Sequence, residues 1–189
     1  NNAKVYFDRG FLFTKTRKYE RAIEDFTKTI ELKPDDVDAY KGRAVAFRRI
    51  GYFKEAIEDY TKLIKLNPNS SEIYGMRGYV YEKIGQYKQA VVDFSKEIEL
   101  KEIELKPNSF DYSSRGYIYE KLGQYKKAIE DFNKAIELDP DYDYSYIDIG
   151  LAYSKLGLHQ KGIELLNKLN KKYPDDDYLY FERANIYSN

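Results

Sequence analysis

The stretch YSSRGYIYEKLGQYKKAIEDFNKAIELDP, Tyr112–Pro140, decides the fold. Tyr112, Gly116 and Tyr119 follow one another at steps of four and three, and Ala128 and Phe132 repeat the step of four. Such steps keep large and small side chains on one face of a helix. Two helices are therefore expected, separated by a turn at Gly123. Pro140 closes the second, because proline neither donates the backbone hydrogen bond nor fits behind the preceding turn. One antiparallel pair cannot bury its own apolar face, whereas stacked pairs can.

The pattern recurs in phase on both sides of this stretch. Tyr6, Tyr40, Tyr74, Tyr112, Tyr146 and Tyr180 are spaced by 34, 34, 38, 34 and 34 residues. Four residues after each stands Gly10, Ala44, Gly78, Gly116, Gly150 or Ala184, and three further on an aromatic: Phe13, Phe47, Tyr81, Tyr119, Tyr153 or Tyr187. A second small residue follows at Ala22, Ala56, Ala90, Ala128 and Gly162, then Phe26, Tyr60, Phe94, Phe132 and Leu166. Glycine marks the turn at Gly51, Gly85, Gly123 and Gly157, and the units close at Pro34, Pro68, Pro107, Pro140 and Pro174.

The composition narrows the function. The chain has 189 residues, 32 basic and 32 acidic, with no cysteine and one histidine, His159. Disulfides and thiolate metal sites are thereby excluded, and a histidine-built zinc site or triad is hard to assemble. Balanced charge gives no electrostatic pull toward nucleic acid, and the tyrosines lack the basic track that a single-strand binder needs. No apolar run approaches the ~18 residues that span a bilayer. The start at Asn1-Asn2-Ala3-Lys4, without Met, reads as a piece of a longer protein. The compartment stays open, with a cytoplasmic setting preferred.

The repeat resembles that of the tetratricopeptide family, in which an aromatic, a glycine, a tyrosine, an alanine, a phenylalanine and a closing proline share a 34-residue period. The resemblance covers Ala3 to Asn189. It implies an all-α solenoid, a right-handed superhelix of antiparallel helix pairs with about eleven helices. Residues 1–189 are expected to form a single repeat domain, with repeats at 3–36, 37–70, 71–108, 109–142 and 143–176. Residues 177–189 then form the terminal helix of a sixth, incomplete repeat.

Comparison among the units predicts one contact. The seventh residue is Arg9, Arg43, Arg77 or Arg115 and the twenty-third Asp25, Asp59, Asp93 or Asp131, and the fifth unit replaces both, with Ile149 and Leu165. A charged pair exchanged jointly for an apolar pair implies direct, partly buried contact.

The third unit contains a tandem duplication, Lys96-Glu97-Ile98-Glu99-Leu100 followed by Lys101-Glu102-Ile103-Glu104-Leu105. The residue types favour a second helix lengthened by about a turn, with Glu97–Lys101 and Glu102–Lys106 as supporting pairs. Either copy could dock in the packing register, or one copy is a neutral or engineered insertion.

No constellation for catalysis, metal or cofactor is apparent. Asp139-Pro-Asp141-Tyr-Asp143 lacks the glycine and glutamate of a calcium loop, so its aspartates are read as introducing the next helix. His159 takes the slot of Tyr19, Phe53, Tyr87 and Tyr125, a packing position.

Fourteen of the 21 tyrosines occupy packing positions, leaving Tyr52, Tyr79, Tyr117, Tyr142, Tyr144, Tyr173 and Tyr178. In the family, residues 2, 5, 9, 12 and 13 of each first helix face a concave groove. The resemblance thus implies a groove bearing Phe7 and Phe11, then Lys41, Val45, Arg48 and Arg49, then Glu72, Tyr79, Glu82 and Lys83. Its later part carries Phe110, Tyr117, Tyr144, Ile147, Leu151, Tyr178 and Phe181. Some members clamp a partner's terminal carboxylate with Lys, Asn, Asn, Lys and Arg; here those places hold Phe7, Phe11, Gly42, Glu72 and Met76, so that clamp is not expected. The reading is a non-catalytic protein–protein interaction module taking a peptide in its groove, with Arg48 and Arg49 steering an acidic stretch. The alternative is a structural spacer, or a self-assembly element stacking through its terminal helices.

Overall fold

The computed structural model describes residues 2–104 and 106–187. Among them the chain is all α-helical. First helices α1 (Asn2–Lys15), α3 (Val37–Arg49), α5 (Ser71–Lys83), α7 (Ser109–Lys121), α9 (Asp143–Lys155) and α11 (Asp177–Tyr187) alternate with second helices α2 (Tyr19–Leu32), α4 (Phe53–Leu66), α6 (Tyr87–Glu104), α8 (Tyr125–Leu138) and α10 (His159–Lys172). Two compact units result, Asn1–Leu100 and Lys101–Asn189, divided where the first copy of the duplication meets the second. No described helix is long and apolar enough to cross a membrane.

Within each pair the turn needs a left-handed residue. Gly51 meets this with φ 82°, and in the first pair Arg17 holds φ 58° at the same place. Close helix approach explains other glycines. A Cβ on Gly42 would lie 2.5 Å from the Phe26 ring, and one on Gly162 would lie 2.5 Å from the Gly150 carbonyl oxygen. Helix starts are fixed by short polar side chains: Asp36 accepts from the Ala39 amide, and Asn108 and Asp111 form a reciprocal capping box at α7.

The first unit buries Phe26 with Ala22, Ala39 and Ala46, and Tyr60 with Leu63, Ile73 and Val80. The second buries Phe132 with Ala128, Ile149 and Ala152, and Leu166 with Ile147, Leu179 and Ile186. All four arginine–aspartate pairs form, each bidentate: Arg77 Nε and Nη2 donate to Asp93 at 2.8 Å, and the other three match it within 2.7–2.9 Å. Ile149 and Leu165 meet within one apolar cluster in the fifth unit. The arginines also reach back to the preceding pair, Arg43 donating to Thr27 and Arg77 to Thr61, and Arg183 donates to Asn167 in the same way.

Helix α6 has 18 residues where α2, α4, α8 and α10 each have 14. Ile98 and Leu100 of the first copy are buried, whereas Ile103 of the second is 74% exposed. The second copy serves polar contacts within its own unit: Lys101 donates to Asp111, and Glu102 accepts from the Tyr112 hydroxyl. Leu105 lies outside the described residues.

One core position breaks its own pattern. Position 28 of the first four units is Ile30, Ile64, Ile98 and Ile136, but in the fifth it is Asn170. Asn170 is 7% exposed, and neither amide atom has a hydrogen-bond partner among the described residues. An unpaired buried amide costs about 1–3 kcal/mol. Asn170→Ile is therefore expected to stabilise the chain by about 1–3 kcal/mol, read as a higher urea midpoint at unchanged slope.

Candidate functional site

The first helices of each unit contact one another as well as their partners. In the first unit Lys41 of α3 donates to Glu72 of α5 at 2.5 Å, and the Arg48 guanidinium lies 5.3 Å from the Tyr79 ring centroid. Lys83 covers the same ring at 4.8 Å and pairs with Glu82. This brings Lys41, Arg48, Glu72, Tyr79, Glu82 and Lys83 onto one face. Arg49 is exposed, and Val45 is half-buried. Phe7 is half-buried against Phe26, with ring centroids 5.8 Å apart, so it serves the core in part; Phe11 is exposed. Arg48 Nε and the Tyr60 hydroxyl are both buried without hydrogen-bond partners among the described residues. Burial pushes the Tyr60 pKa up, with Arg48 opposing. Tyr60 stands where three other units have phenylalanine.

In the second unit α7, α9 and α11 present Phe110, Tyr117, Tyr144, Tyr178 and Phe181, all exposed, with Tyr144 at 72%. Ile147 departs from the expected surface. It is 7% exposed and packs with Ile163, Leu166, Leu169, Leu179 and Ile186, because a residue at position 5 of α9 meets the side chains of both α10 and α11. Leu151 is half-buried against the same cluster. Ile147 still reaches solvent space as part of the lining of a cavity of about 450 Å³, with Leu169 and Leu179 and with Tyr144, Tyr173 and Tyr178. Asp143 and Asp176 also line it, and both are engaged: Lys172 donates to Asp143 and to Asp141, and Asp176 accepts from the amides of Tyr178 and Leu179 at the start of α11. Lys172 holds the Asp141 carboxyl below its usual range. Asp139 accepts from the Asp141 amide, closing a local turn.

A further group shares this face, and position rules alone missed it. Asp148 lies one helical turn after Tyr144, and Glu182 one turn after Tyr178. Both occupy position 6, which the groove rule omits; the signal available in the sequence was an acid where the middle units have Gly42, Met76 and Ser114. Burial pushes the Asp148 carboxyl up to about 7, helped by Glu120 and Glu182 and opposed by Lys121. Burial also raises the Tyr178 hydroxyl, with Glu182 beside it adding to the shift. Lys121 is committed elsewhere, 3.6 Å from Glu120 and 4.5 Å from the Tyr117 ring centroid.

His159 shares a hydrogen bond with Ser154 through Nδ1 at 3.0 Å. No group of three or more His, Cys, Asp or Glu among the described residues could hold a metal ion.

Several solved structures share this architecture. The MamA protein is 26% identical, with 90% of this chain and 91% of that one covered at a TM-score of 0.83. YrrB, a TPR protein with an unusual peptide-binding site, is 22% identical over 95% of this chain and 90% of its own, with a TM-score of 0.81. A tetratricopeptide repeat protein from Parabacteroides merdae is 20% identical, covering 98% of this chain and 72% of that one, with a TM-score of 0.87. No curated protein matches the chain. The family's sequence profiles match at residues 3–36, 37–70, 59–92, 111–142 and 144–176, which spans both compact units and most of the helix pairs described above. With the repeat, the paired helices and these matches in agreement, the chain belongs to the tetratricopeptide repeat family.

Proposed function

We propose that this protein is a non-catalytic protein-interaction module whose first-helix faces take an extended or helical segment of a partner. The observation that carries this reading is the set of large exposed side chains on α7, α9 and α11, beside a lined cavity, where the helix cores are already filled. Tyrosine offers wide, rigid contact area at low entropic cost, and clustered exposed apolar surface marks interaction sites. On the first unit, Lys41 and Lys83 are paired with glutamates, whereas Arg49 is exposed and Arg48 lies against the Tyr79 ring. That excess of positive charge suits an acidic stretch of ligand. The fold shared with YrrB supports peptide binding as the mode.

Affinity capture from lysate with the full chain tests this, comparing wild type with a Tyr117→Ala/Tyr144→Ala variant. Both side chains are exposed, so the variant is expected to keep its circular dichroism spectrum. A partner held by wild type is expected to fall at least about tenfold in the variant, as two hot-spot truncations would give. Equal recovery by both sinks the peptide-binding reading.

We also infer that self-assembly through α11 is open to this chain. Tyr180 and Phe181 of α11 are exposed side by side, which suits stacking against another copy. Light scattering across a concentration series decides it: a mass that rises with concentration favours assembly over peptide binding.

A further inference from the structure

The aromatic face of the second unit has an electrostatic character that exposure alone does not convey. Two carboxylates, Glu120 and Glu182, act on a third, Asp148, there, against one ammonium, Lys121. That ammonium is already shared between Glu120 and the Tyr117 ring. Glu182 is 8% exposed and accepts from Asn185 Nδ2. Asp148 has no hydrogen bond and no ion pair among the described residues, and it is half-buried. A carboxylate that has lost much of its water without gaining a partner is poorly stabilised as an anion.

Its surroundings select what relieves it. Tyr144 and Tyr178 stand one turn before Asp148 and Glu182 on their helices, and both line the cavity with Ile147, Leu169 and Leu179. Aromatic faces attract cations, and apolar walls accept a methylene stem. A metal ion is not indicated, since no described group of three acidic or histidine side chains converges to hold one. An acidic segment would add a fourth like charge.

Resting on the peptide-binding reading above, we propose that the α9–α11 face takes a lysine or arginine side chain of a protein partner, with its stem along Tyr144 and Tyr178 and its cationic end at Asp148. An apolar neighbour of that side chain in the partner segment then fills the cavity floored by Ile147 and Leu179. On this face the ligand is a basic segment in which a cation and an apolar residue stand close together, whereas an acidic stretch suits Arg48 and Arg49 of the first unit.

Phage-displayed random 16-residue peptides, selected on the immobilised full chain, supply the probe. The best selected peptide is then titrated by fluorescence anisotropy against wild type, Asp148→Asn and Tyr144→Ala/Tyr178→Ala. The expected result is enrichment of Lys or Arg beside an apolar residue, with binding about tenfold weaker in Asp148→Asn and a smaller loss on raising salt than wild type shows. Asparagine keeps the shape and removes the charge, and circular dichroism checks that the variant is folded. Peptides that the tyrosine variant weakens but that carry no basic residue, or equal binding by wild type and Asp148→Asn while the tyrosine variant fails, overturn the cation site and leave peptide binding standing. Selection of no peptide, with only self-association observed, overturns both.

Discussion

Arg77→Ile is expected to destabilise the protein by about 3–5 kcal/mol, while the double variant Arg77→Ile/Asp93→Leu recovers most of that loss. Arg77 donates to both oxygens of Asp93 and, through Nη1, to Thr61. The Asp93 side chain is 3% exposed. Removing the guanidinium leaves this carboxylate buried without its cation, and it strands the Thr61 hydroxyl. Replacing both partners with apolar residues removes the charge that needed solvation. The fifth unit already contains that solution, Ile149 packed with Leu165, so the double variant borrows a pair this fold accommodates. Chemical denaturation of wild type, both single variants and the double completes the cycle. Losses in the double equal to the sum of the singles would show that the pair is not coupled through burial.

The second large effect is a dependence on pH set by Asp148. Its carboxyl is pushed up to about 7 in the folded chain, chiefly by burial, against roughly 3.9 when unfolded. The folded state therefore binds more protons between these two values. Stability from this group is highest at low pH, falls as pH rises through about 4 to 7, and levels off above the folded value. Each tenfold change in proton affinity is worth about 1.4 kcal/mol, so the cost at pH 8 is on the order of 4 kcal/mol. Glu120 and Glu182 face the group and raise it, and Lys121 opposes them. Asp148→Asn removes the titration and loses no hydrogen bond, since Asp148 makes none among the described residues. Its urea midpoint is expected to exceed that of wild type at pH 8, with the gap closing toward pH 4. A gap of constant size across this range would show that Asp148 titrates normally. A cation bound at the proposed site would restore part of this stability.

The scaffold is legible in the sequence because the repeat is redundant. Six copies of the tyrosine, small residue and aromatic series leave one secondary structure and one pairing that satisfy them all. The joint change at Ile149 and Leu165 identifies a contact between helices through comparison of the units alone. Candidate surface residues are legible where position by itself sets exposure, as at Tyr79, Tyr117, Tyr144 and Tyr178. Ile147 is less exposed than the same rule implies, because the rule ignores the neighbours it meets: it packs against α10 and α11 and reaches solvent only as lining of the cavity. Asp148 and Glu182 escape it for a related reason: their character comes from burial and from mutual repulsion across three helices, which are properties of an arrangement.

The duplication divides along the same line. Its residue types require a longer α6, since Lys, Glu, Ile and Leu all continue a helix. Packing, and no property of the segment itself, puts Ile98 and Leu100 in the core and leaves Ile103 in solvent, because two identical copies have the same propensity and differ only in which neighbours they meet. Local periodicity fixes helices and their pairing; burial, partnered charge and cavity shape are fixed by residues far apart in sequence, and on those the choice of ligand depends.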